Sequence, residues 1–424
     1  MEQLLQYIWK YRLYRTTDMR TTQGETLEII DPGIQNRDAG PDFFNAKVKI
    51  NGTLWAGSVE IHGKASEWYR HGHDSDKAYD NVILHVIVEE DAIACRSNQE
   101  AIPQWLMIIP PALMDNIEWL LNRDGDIPCF ERLPEIEPIR RTEWMDRLLC
   151  ERLERKTHDI YQWLDQYAQD WNEAFYILLC RNFGFGVNSD IFERLARSLP
   201  LKYIQKQRGS VSQIEALFLG QAGMLEEPCQ EFHHYYRFLQ QEYQFLRKKF
   251  GLEPLEPHLF RRLRVRPNAS PYIKLVQLAA IWVKHDTLFS ALLNAGNLRE
   301  IKSYLRAETS EFWDTHYNFR ESSPMHKKVL GDKALDIILI NTVAPMMFAY
   351  GKYHHLPEYT ERALMVLERI PPEENRIIHM FRTAGILARN AGDTQALIQL
   401  KRNYCEQKKC LFCHFGFQLL KSAP

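Results

Sequence analysis

Two acidic residues in the first part of the chain, Asp42 and Glu60, are of the type that binds a divalent cation. Mg²⁺ and Mn²⁺ prefer oxygen ligands, and one or two carboxylates are enough to hold such an ion beside a phosphate. A cation held in this way polarises a phosphoryl oxygen and orients the attacking water in phosphodiester hydrolysis. The sequence therefore predicts a Mg²⁺ or Mn²⁺ site at Asp42 and Glu60.

Local turn chemistry predicts that these two residues meet. Residues 46–50 alternate as a strand does and stop at Asn51-Gly52, which is a strong signal for a two-residue hairpin. Residues 55–62 continue as the partner strand. Asp42 then precedes one strand and Glu60 lies near the end of the other, so we expect both carboxylates to reach one cation.

The pattern of helix, three strands, helix and strand, with Pro41-Asp42 at the second strand and Glu60-Ile61-His62 on the third, resembles the core of the PD-(D/E)xK phosphodiesterases. The resemblance implies a restriction-endonuclease-like domain that cleaves DNA or RNA. His62 stands where that family has lysine; a neutral imidazole can orient or deprotonate water but supplies less positive charge. Lys64 lies on the same face of the strand and is an alternative source of charge. Glu2 is a candidate for a further acidic ligand.

Nearly the whole chain also resembles a bacterial family of unknown function. The resemblance is carried by short motifs and implies no activity, so function has to be inferred from the site. These motifs are Gly57-Ser58-Val59-Glu60-Ile61-His62, Trp68, His71-Gly72-His73, Asp76, Tyr79, Val82-Ile83-Leu84-His85-Val86, Ile214-Glu215-Ala216-Leu217, Gly220-Gln221-Ala222-Gly223, Asn341-Thr342-Val343 and Tyr404-Cys405.

Histidines are concentrated just after the third strand. In one hypothesis His71 and His73 join the carboxylate pair around the metal; in the other they cap a loop. The cluster with His62 also permits a zinc-dependent hydrolase, which needs three such ligands and an open position. His85 lies in an apolar run and is typical of a core histidine with one satisfied hydrogen bond.

Cysteines near the end of the chain form a second candidate metal site. Cys405, Cys410 and Cys413 have the C-x4-C-x2-C spacing of plant-type [2Fe–2S] ligation, which needs a distant fourth cysteine. We expect Cys129 to be that ligand. An iron–sulfur cluster and a tetrahedral Zn²⁺ are both compatible with the set, and packed thiols are the alternative.

The net charge of the chain does not indicate a nucleic-acid partner, because 53 Lys and Arg nearly balance 55 Asp and Glu. Local basic clusters remain, and each can neutralise backbone phosphates or form a solvated surface. A nuclease-like protein that lacks the lysine can also be a catalytically inactive binder of nucleic acid or protein. The predicted nucleic-acid-binding residues are Arg261, Arg262, Arg264 and Arg266.

The 424 residues exceed the size at which one hydrophobic core usually stops growing, about 250–300 residues. Five strand-like runs within the first 125 residues predict an α+β or α/β domain, with a mixed sheet and flanking helices. Helical periodicity then predicts a large all-α domain over 126–424 that includes the C-terminal cysteines. The predicted strands are 27–30, 46–50, 55–62, 82–88 and 105–109, after a helix at 3–15.

The setting expected for the protein is the cytoplasm. The N-terminal residues lack the order of a secretory signal. The apolar run 334–350 is interrupted by Asp336, Asn341 and Pro345, which is typical of a buried helix, and no membrane partner is expected. In the cytoplasm the eight cysteines are expected to be reduced thiols or metal ligands. Protein partners are not identified by the sequence.

Overall fold

The computed structural model describes residues 2–36, 38–123, 125–226, 234–262, 265–306 and 308–421. The chain divides into two compact units: Met1–Trp144 with Lys401–Pro424, and Met145–Leu400. The boundary predicted at residue 125 therefore falls inside the first unit. The C-terminal cysteine segment, assigned from the sequence to the helical domain, lies in the same unit as the sheet.

A mixed sheet forms the centre of the first unit, as predicted. Its strand order is β1-β3-β4-β5-β6, with the short β2 paired to β3. The β3 strand is antiparallel to β1, β2 and β4, whereas β5 runs parallel to β4 and β6 runs parallel to β5. The strands are β1 (Leu27–Asp31), β2 (Ile34–Gln35), β3 (Phe43–Ile50), β4 (Thr53–Lys64), β5 (Val82–Glu89) and β6 (Gln104–Leu106).

The hairpin predicted at Asn51-Gly52 is confirmed. Both residues have positive φ, 49° and 84°, as the favoured two-residue hairpin turn requires. The β3 strand begins at Phe43, before the predicted start, and a shift of register between Phe43 and Ala46 breaks its alternation. Phe43 pairs with Val59, which places the residue before β3 beside the residue after Val59.

Replacing Gly52 by Ala tests the contribution of this turn. We expect a loss of about 1 kcal/mol in the free energy of unfolding, because alanine is strained at φ +84°. An added Cβ would meet no atom within 4 Å, so backbone strain is the whole effect. Urea denaturation followed by circular dichroism measures the change. An unchanged midpoint would contradict the assigned turn geometry.

The first helix, α1 (Glu2–Lys10), packs its apolar face on the sheet. Ile8 and Trp9 are fully buried, and the Trp9 indole donates a hydrogen bond to the carbonyl of Pro32 at 3.0 Å. The helix is shorter than the predicted 3–15, because Arg12 adopts a left-handed conformation with φ 52°. This packing sets the position of the polar face of α1 relative to the start of β3.

The second unit consists of helices, and its described residues contain no strand. The stretch Asp332–His354 is long and apolar enough to cross a membrane by length and composition, and 72% of its most apolar window is buried in the protein. A π-helical turn at Leu339–Val343 precedes Pro345 within this stretch. The other α-helices of the described residues are α2 (Glu67–Arg70), α3 (Pro111–Asn122), α4 (Pro138–Gln166), α5 (Trp171–Phe183), α6 (Ser189–Ser198), α7 (Leu201–Gln205), α8 (Val211–Gln221), α9 (His234–Phe250), α10 (Pro271–Lys284), α11 (Leu288–Asn294), α12 (Leu298–Leu305), α13 (Asp332–Ile338), α14 (Ala344–His354), α15 (Pro357–Arg369), α16 (Arg376–Thr383), α17 (Ala391–Leu400) and α18 (His414–Lys421).

Candidate metal centre

The carboxylates of Asp42 and Glu60 lie side by side at the end of the hairpin. Glu60 Oε2 accepts a hydrogen bond from the backbone N–H of Asp42 at 3.0 Å, and Asp42 Oδ2 accepts one from the backbone N–H of Ile61 at 3.0 Å. The backbone at Asp42 thus holds the carboxylate of Glu60, and the backbone next to Glu60 holds the carboxylate of Asp42. Glu60 is only 3% exposed and Asp42 is half-buried, so the pair is largely shielded from solvent.

The first helix supplies two polar residues to this pair. Gln6 Nε2 donates a hydrogen bond to Asp42 Oδ1 at 2.6 Å. Glu2, Glu60 and His62 offer ligand atoms that all lie within 4.8 Å of one another. Glu2 therefore joins the site, as an acidic residue on the first helix was expected to do.

Hydrogen bonds from Gln104 through His85 to His62 determine which ring nitrogen of His62 carries the proton. Gln104 Nε2 donates to a backbone carbonyl at 3.2 Å and contacts His85 Nδ1 at 3.3 Å, so His85 carries its proton on Nε2. His85 Nε2 then donates to His62 Nδ1 at 2.9 Å. It follows that His62 presents an N–H at Nε2, which lies 3.3 Å from His71 Nδ1 and 3.5 Å from Glu60 Oε1.

A tight turn brings the next two histidines to the same place. Gly72 has φ 73°, and the turn places ligand atoms of His62, His71 and His73 within 4.8 Å of one another. His73 Nε2 lies 3.3 Å from Glu60 Oε1, and its ring stacks on Tyr79 with centroids 3.8 Å apart. His71 is exposed, so it is the imidazole most accessible to a substrate.

Burial and like charges dominate the electrostatics of the site. Burial, and after it the neighbouring Glu60, raise the pKa of Asp42 to about 8. Burial, and then His71 and His73, lower the pKa of His62 to about 3, so this imidazole is neutral at pH 7. These two adjacent carboxylates, with His62 and His73 beside Glu60, are an arrangement that a divalent cation would stabilise.

Lys64, the predicted alternative to the family's lysine, lies at the exposed end of β4. Its ammonium group donates a hydrogen bond to Glu89 Oε1 at 2.8 Å, and this pairing raises the pKa of the lysine. The charge of Lys64 is thus already matched by a carboxylate on the neighbouring strand. In this arrangement His62 and His73 face Glu60, and Lys64 does not.

A cleft of about 480 Å³ opens beside Asp42. Gln6 lines the cleft and hydrogen-bonds Asp42, so it connects this space to the carboxylate pair. Lys10 supplies a positive charge to the cleft, and Tyr11 and Phe412 supply exposed aromatic rings. A cleft of this size and composition can take a nucleotide-sized group.

The structure describes three of the four arginines that were predicted to contact nucleic acid. The backbone N–H of Arg261 donates to Asn188, and Arg261 itself is exposed. The Arg262 guanidinium donates to Tyr272 and to the carbonyl of Pro257 within its own unit. Arg266 is exposed at the start of a short helical turn, and Arg264 lies outside the described residues.

The four cysteines predicted as ligands all belong to the first unit, although Cys129 and the other three are separated by most of the chain. Cys129, Cys410 and Cys413 are buried, and Cys405 is half-buried.

Two residues of the carboxylate site, Gln6 and Gln104, were not predicted from the sequence. Gln6 and Gln104 carry no local signal, because an amide acquires its role only through the partners that folding supplies.

The model of a protein family described as "Protein of unknown function (DUF2851)" matches residues 2–376. No curated protein and no solved structure matches the chain. The chemistry of the site therefore has to be argued from its own residues.

Proposed function

We propose that this chain, which belongs to the DUF2851 family of proteins of unknown function, is a metal-dependent phosphodiesterase that cleaves DNA or RNA. The observation that carries the proposal is the carboxylate pair: Asp42 and Glu60 are each hydrogen-bonded to the backbone at the other's strand and lie next to one another. The element order around them, a helix, a hairpin, a short helix and a parallel strand, supports the resemblance to the PD-(D/E)xK nucleases.

Asp42 and Glu60 would hold Mg²⁺ or Mn²⁺, with Glu2 as a further acidic ligand. The imidazoles of His71 and His73 favour Mn²⁺ over Mg²⁺, because Mg²⁺ binds oxygen almost exclusively. The bound cation would neutralise charge on the phosphate during hydrolysis. Gln6 holds the orientation of Asp42 from the side of the cleft.

His62 would take the place of the family's lysine as a hydrogen-bond donor. Its Nε2–H faces the carboxylate pair, and the chain through His85 and Gln104 supports this tautomer. A donor at this position orients the attacking water or contacts a phosphoryl oxygen. The same tautomer disfavours His62 as the base, because its remaining lone pair already accepts from His85.

A zinc-dependent hydrolase is a second candidate, because His62, His71 and His73 offer ligand atoms within 4.8 Å of one another. Zinc binding at His62 Nε2 would need a lone pair there. The direction of the hydrogen bonds from Gln104 places a proton on that atom instead. We therefore rank this candidate below the carboxylate-bound cation.

The test is cleavage of labelled single- and double-stranded DNA and RNA by the purified full chain, with Mg²⁺, Mn²⁺ or Zn²⁺ added after chelation. We expect products with Mn²⁺ or Mg²⁺ and none with EDTA. Salt-sensitive binding without products would support the inactive binding protein. One tightly held zinc that is lost from His71→Ala and His73→Ala, with the cysteines intact, would support the zinc hydrolase.

The role of His62 has its own test. His62→Gln keeps a side-chain N–H donor, whereas His62→Leu has a similar size and none. We expect His62→Leu to lower kcat by about 10²-fold or more, the usual effect of losing one donor to a developing charge, and His62→Gln to lose much less. Single-turnover cleavage with Mn²⁺ measures both. Equal losses in the two variants would contradict the donor role.

A further inference from the structure

Folding places the four cysteines in short helical turns of one compact unit. Cys129 immediately precedes the turn Phe130–Glu135, and Cys405 ends the π-helical turn Lys401–Cys405. Cys410 begins the turn Cys410–Phe412, and Cys413 follows it directly. The sequence separates Cys129 from the other three, so their presence in one unit is a product of tertiary folding.

Asn116 links the two segments that carry the cysteines. Its Nδ2 donates to the carbonyl of Leu420 in the C-terminal helix α18 (His414–Lys421) at 3.4 Å, and its Oδ1 accepts from Arg132 at 2.9 Å. Arg132 belongs to the turn that follows Cys129. The turn that follows Cys129 and the helix that follows Cys413 therefore share one buried polar partner, Asn116.

The sulfurs are near enough to act on one another electrostatically. Burial, and after it the sulfurs of Cys413, Cys129 and Cys410, raise the pKa of the Cys405 thiol. The same causes, burial first and then Cys413 and Cys410, raise the pKa of Cys129. Together with the shared contacts of Asn116, this places the segment of Cys129 close to the C-terminal cysteines.

The backbone around Cys413 is arranged to donate to its sulfur. Burial raises the pKa of the Cys413 thiol overall to about 11, although the backbone N–H groups of Gly416 and Phe415 act on this thiol to lower its pKa. Gly416 approaches the carbonyl of Cys410 so closely that a Cβ would overlap it. N–H groups directed at a sulfur stabilise its thiolate relative to its thiol.

We infer that Cys129, Cys405, Cys410 and Cys413 together bind one thiolate-ligated metal centre, a Zn²⁺ ion or an iron–sulfur cluster. In the described part of the chain, no three of these sulfurs lie within 4.8 Å of one another. An iron–sulfur cluster holds its cysteines farther apart than a single ion does, because several metal atoms separate them. Zinc would instead have to draw the C-terminal turns towards Cys129.

Binding of either centre releases the thiol protons and ties the C-terminal segment to Cys129. The free energy of metal binding then adds to the stability of the first unit. This role is structural and does not depend on the proposed nuclease activity. Loss of one centre can therefore be distinguished from loss of the other.

The test is metal analysis and absorption spectroscopy of the full chain purified without oxygen. We expect either one zinc per chain without visible absorption, or iron and acid-labile sulfide with visible charge-transfer bands. Cys413→Ser and Cys129→Ser should each lower metal content by about tenfold or more. Cys150→Ser, in the other unit, should retain it.

A second measurement does not depend on the folding of variants. Co²⁺ titrated into wild-type protein depleted of metal should give thiolate-to-cobalt charge transfer that saturates at one ion per chain. It should also raise the melting temperature and protect residues 401–421 from proteolysis. Metal-free protein after purification, together with no thiolate–cobalt absorption, would overturn the inference. So would full metal retention in both folded serine variants.

Discussion

Asp42→Asn and Glu60→Gln are each expected to reduce metal-dependent cleavage by on the order of 10³-fold, equivalent to about 4 kcal/mol of transition-state stabilisation. Each substitution removes one of two carboxylates held beside each other by backbone hydrogen bonds. Each variant therefore keeps only one of the two carboxylates that hold the cation. Single-turnover kinetics over a range of Mn²⁺ concentrations measures the effect.

Glu60→Gln should lose activity without losing stability. A glutamine at Glu60 keeps an oxygen that can accept from the backbone N–H of Asp42, and it removes a negative charge from a buried pair. Because burial and Glu60 raise the pKa of Asp42, the neutral residue relieves repulsion. We therefore expect a melting temperature equal to or above that of the wild type in the absence of divalent cations, the behaviour of a functional site.

Glu28→Gln is the matched control, because Glu28 is an exposed carboxylate on β1 of the same sheet. It should leave cleavage and melting temperature unchanged. Full activity in folded Glu60→Gln would end the proposal of a carboxylate-bound cation. A large drop in melting temperature would instead assign the pair a structural role.

Gly220→Ala is expected to destabilise the second unit by about 2–3 kcal/mol or more, the usual cost of overpacking a core. Gly220 lies within α8 and is buried against α9, where an added Cβ would overlap the ring of Tyr243. Tyr243 cannot move easily, because it is buried and its hydroxyl donates to Gln221 Oε1 at 3.0 Å. Urea denaturation followed by tryptophan fluorescence measures the change.

Helix propensity alone predicts the opposite sign at this position. Alanine is favoured over glycine in a helix interior by about 1 kcal/mol, so an uncrowded site would be stabilised. Gly209→Ala is the control, because a Cβ there meets open space and φ lies outside the left-handed region. It should change stability little. Stabilisation by Gly220→Ala would show that α8 and α9 are packed less closely than described here.

Local patterns were sufficient to predict the core of the candidate site. The Asn51-Gly52 turn allows both residues a positive φ, and the turn sets the register that brings Asp42 beside Glu60. The buried run of β5 and the change to helices along the chain were also predicted. The ends of elements were less predictable: β3 starts earlier because of a local irregularity, and α1 stops early at a left-handed Arg12.

Side-chain roles that depend on distant partners could not be predicted. Lys64 was a candidate for the missing lysine, and its pairing with Glu89 depends on the parallel contact between β4 and β5. His85 was predicted to be a buried histidine with a hydrogen bond, and it is. His85 accepts a hydrogen bond from Gln104 and donates one to His62, and these two bonds fix the tautomer of His62. The contact with Gln104 requires β6 to lie beside β5, and no local sequence pattern predicts that pairing.

The sequence by itself determined the chemistry available: two acids on a hairpin, a cluster of histidines and a set of spaced cysteines. These follow from residue type and short-range backbone preference, which act within a few residues. Only the tertiary structure decided which nitrogen of His62 bears the proton, that Glu2 joins the acids, and that Cys129 shares a unit with the C-terminal cysteines. Those outcomes rest on burial and hydrogen bonds between residues far apart in the chain, and such contacts form only when the whole core packs.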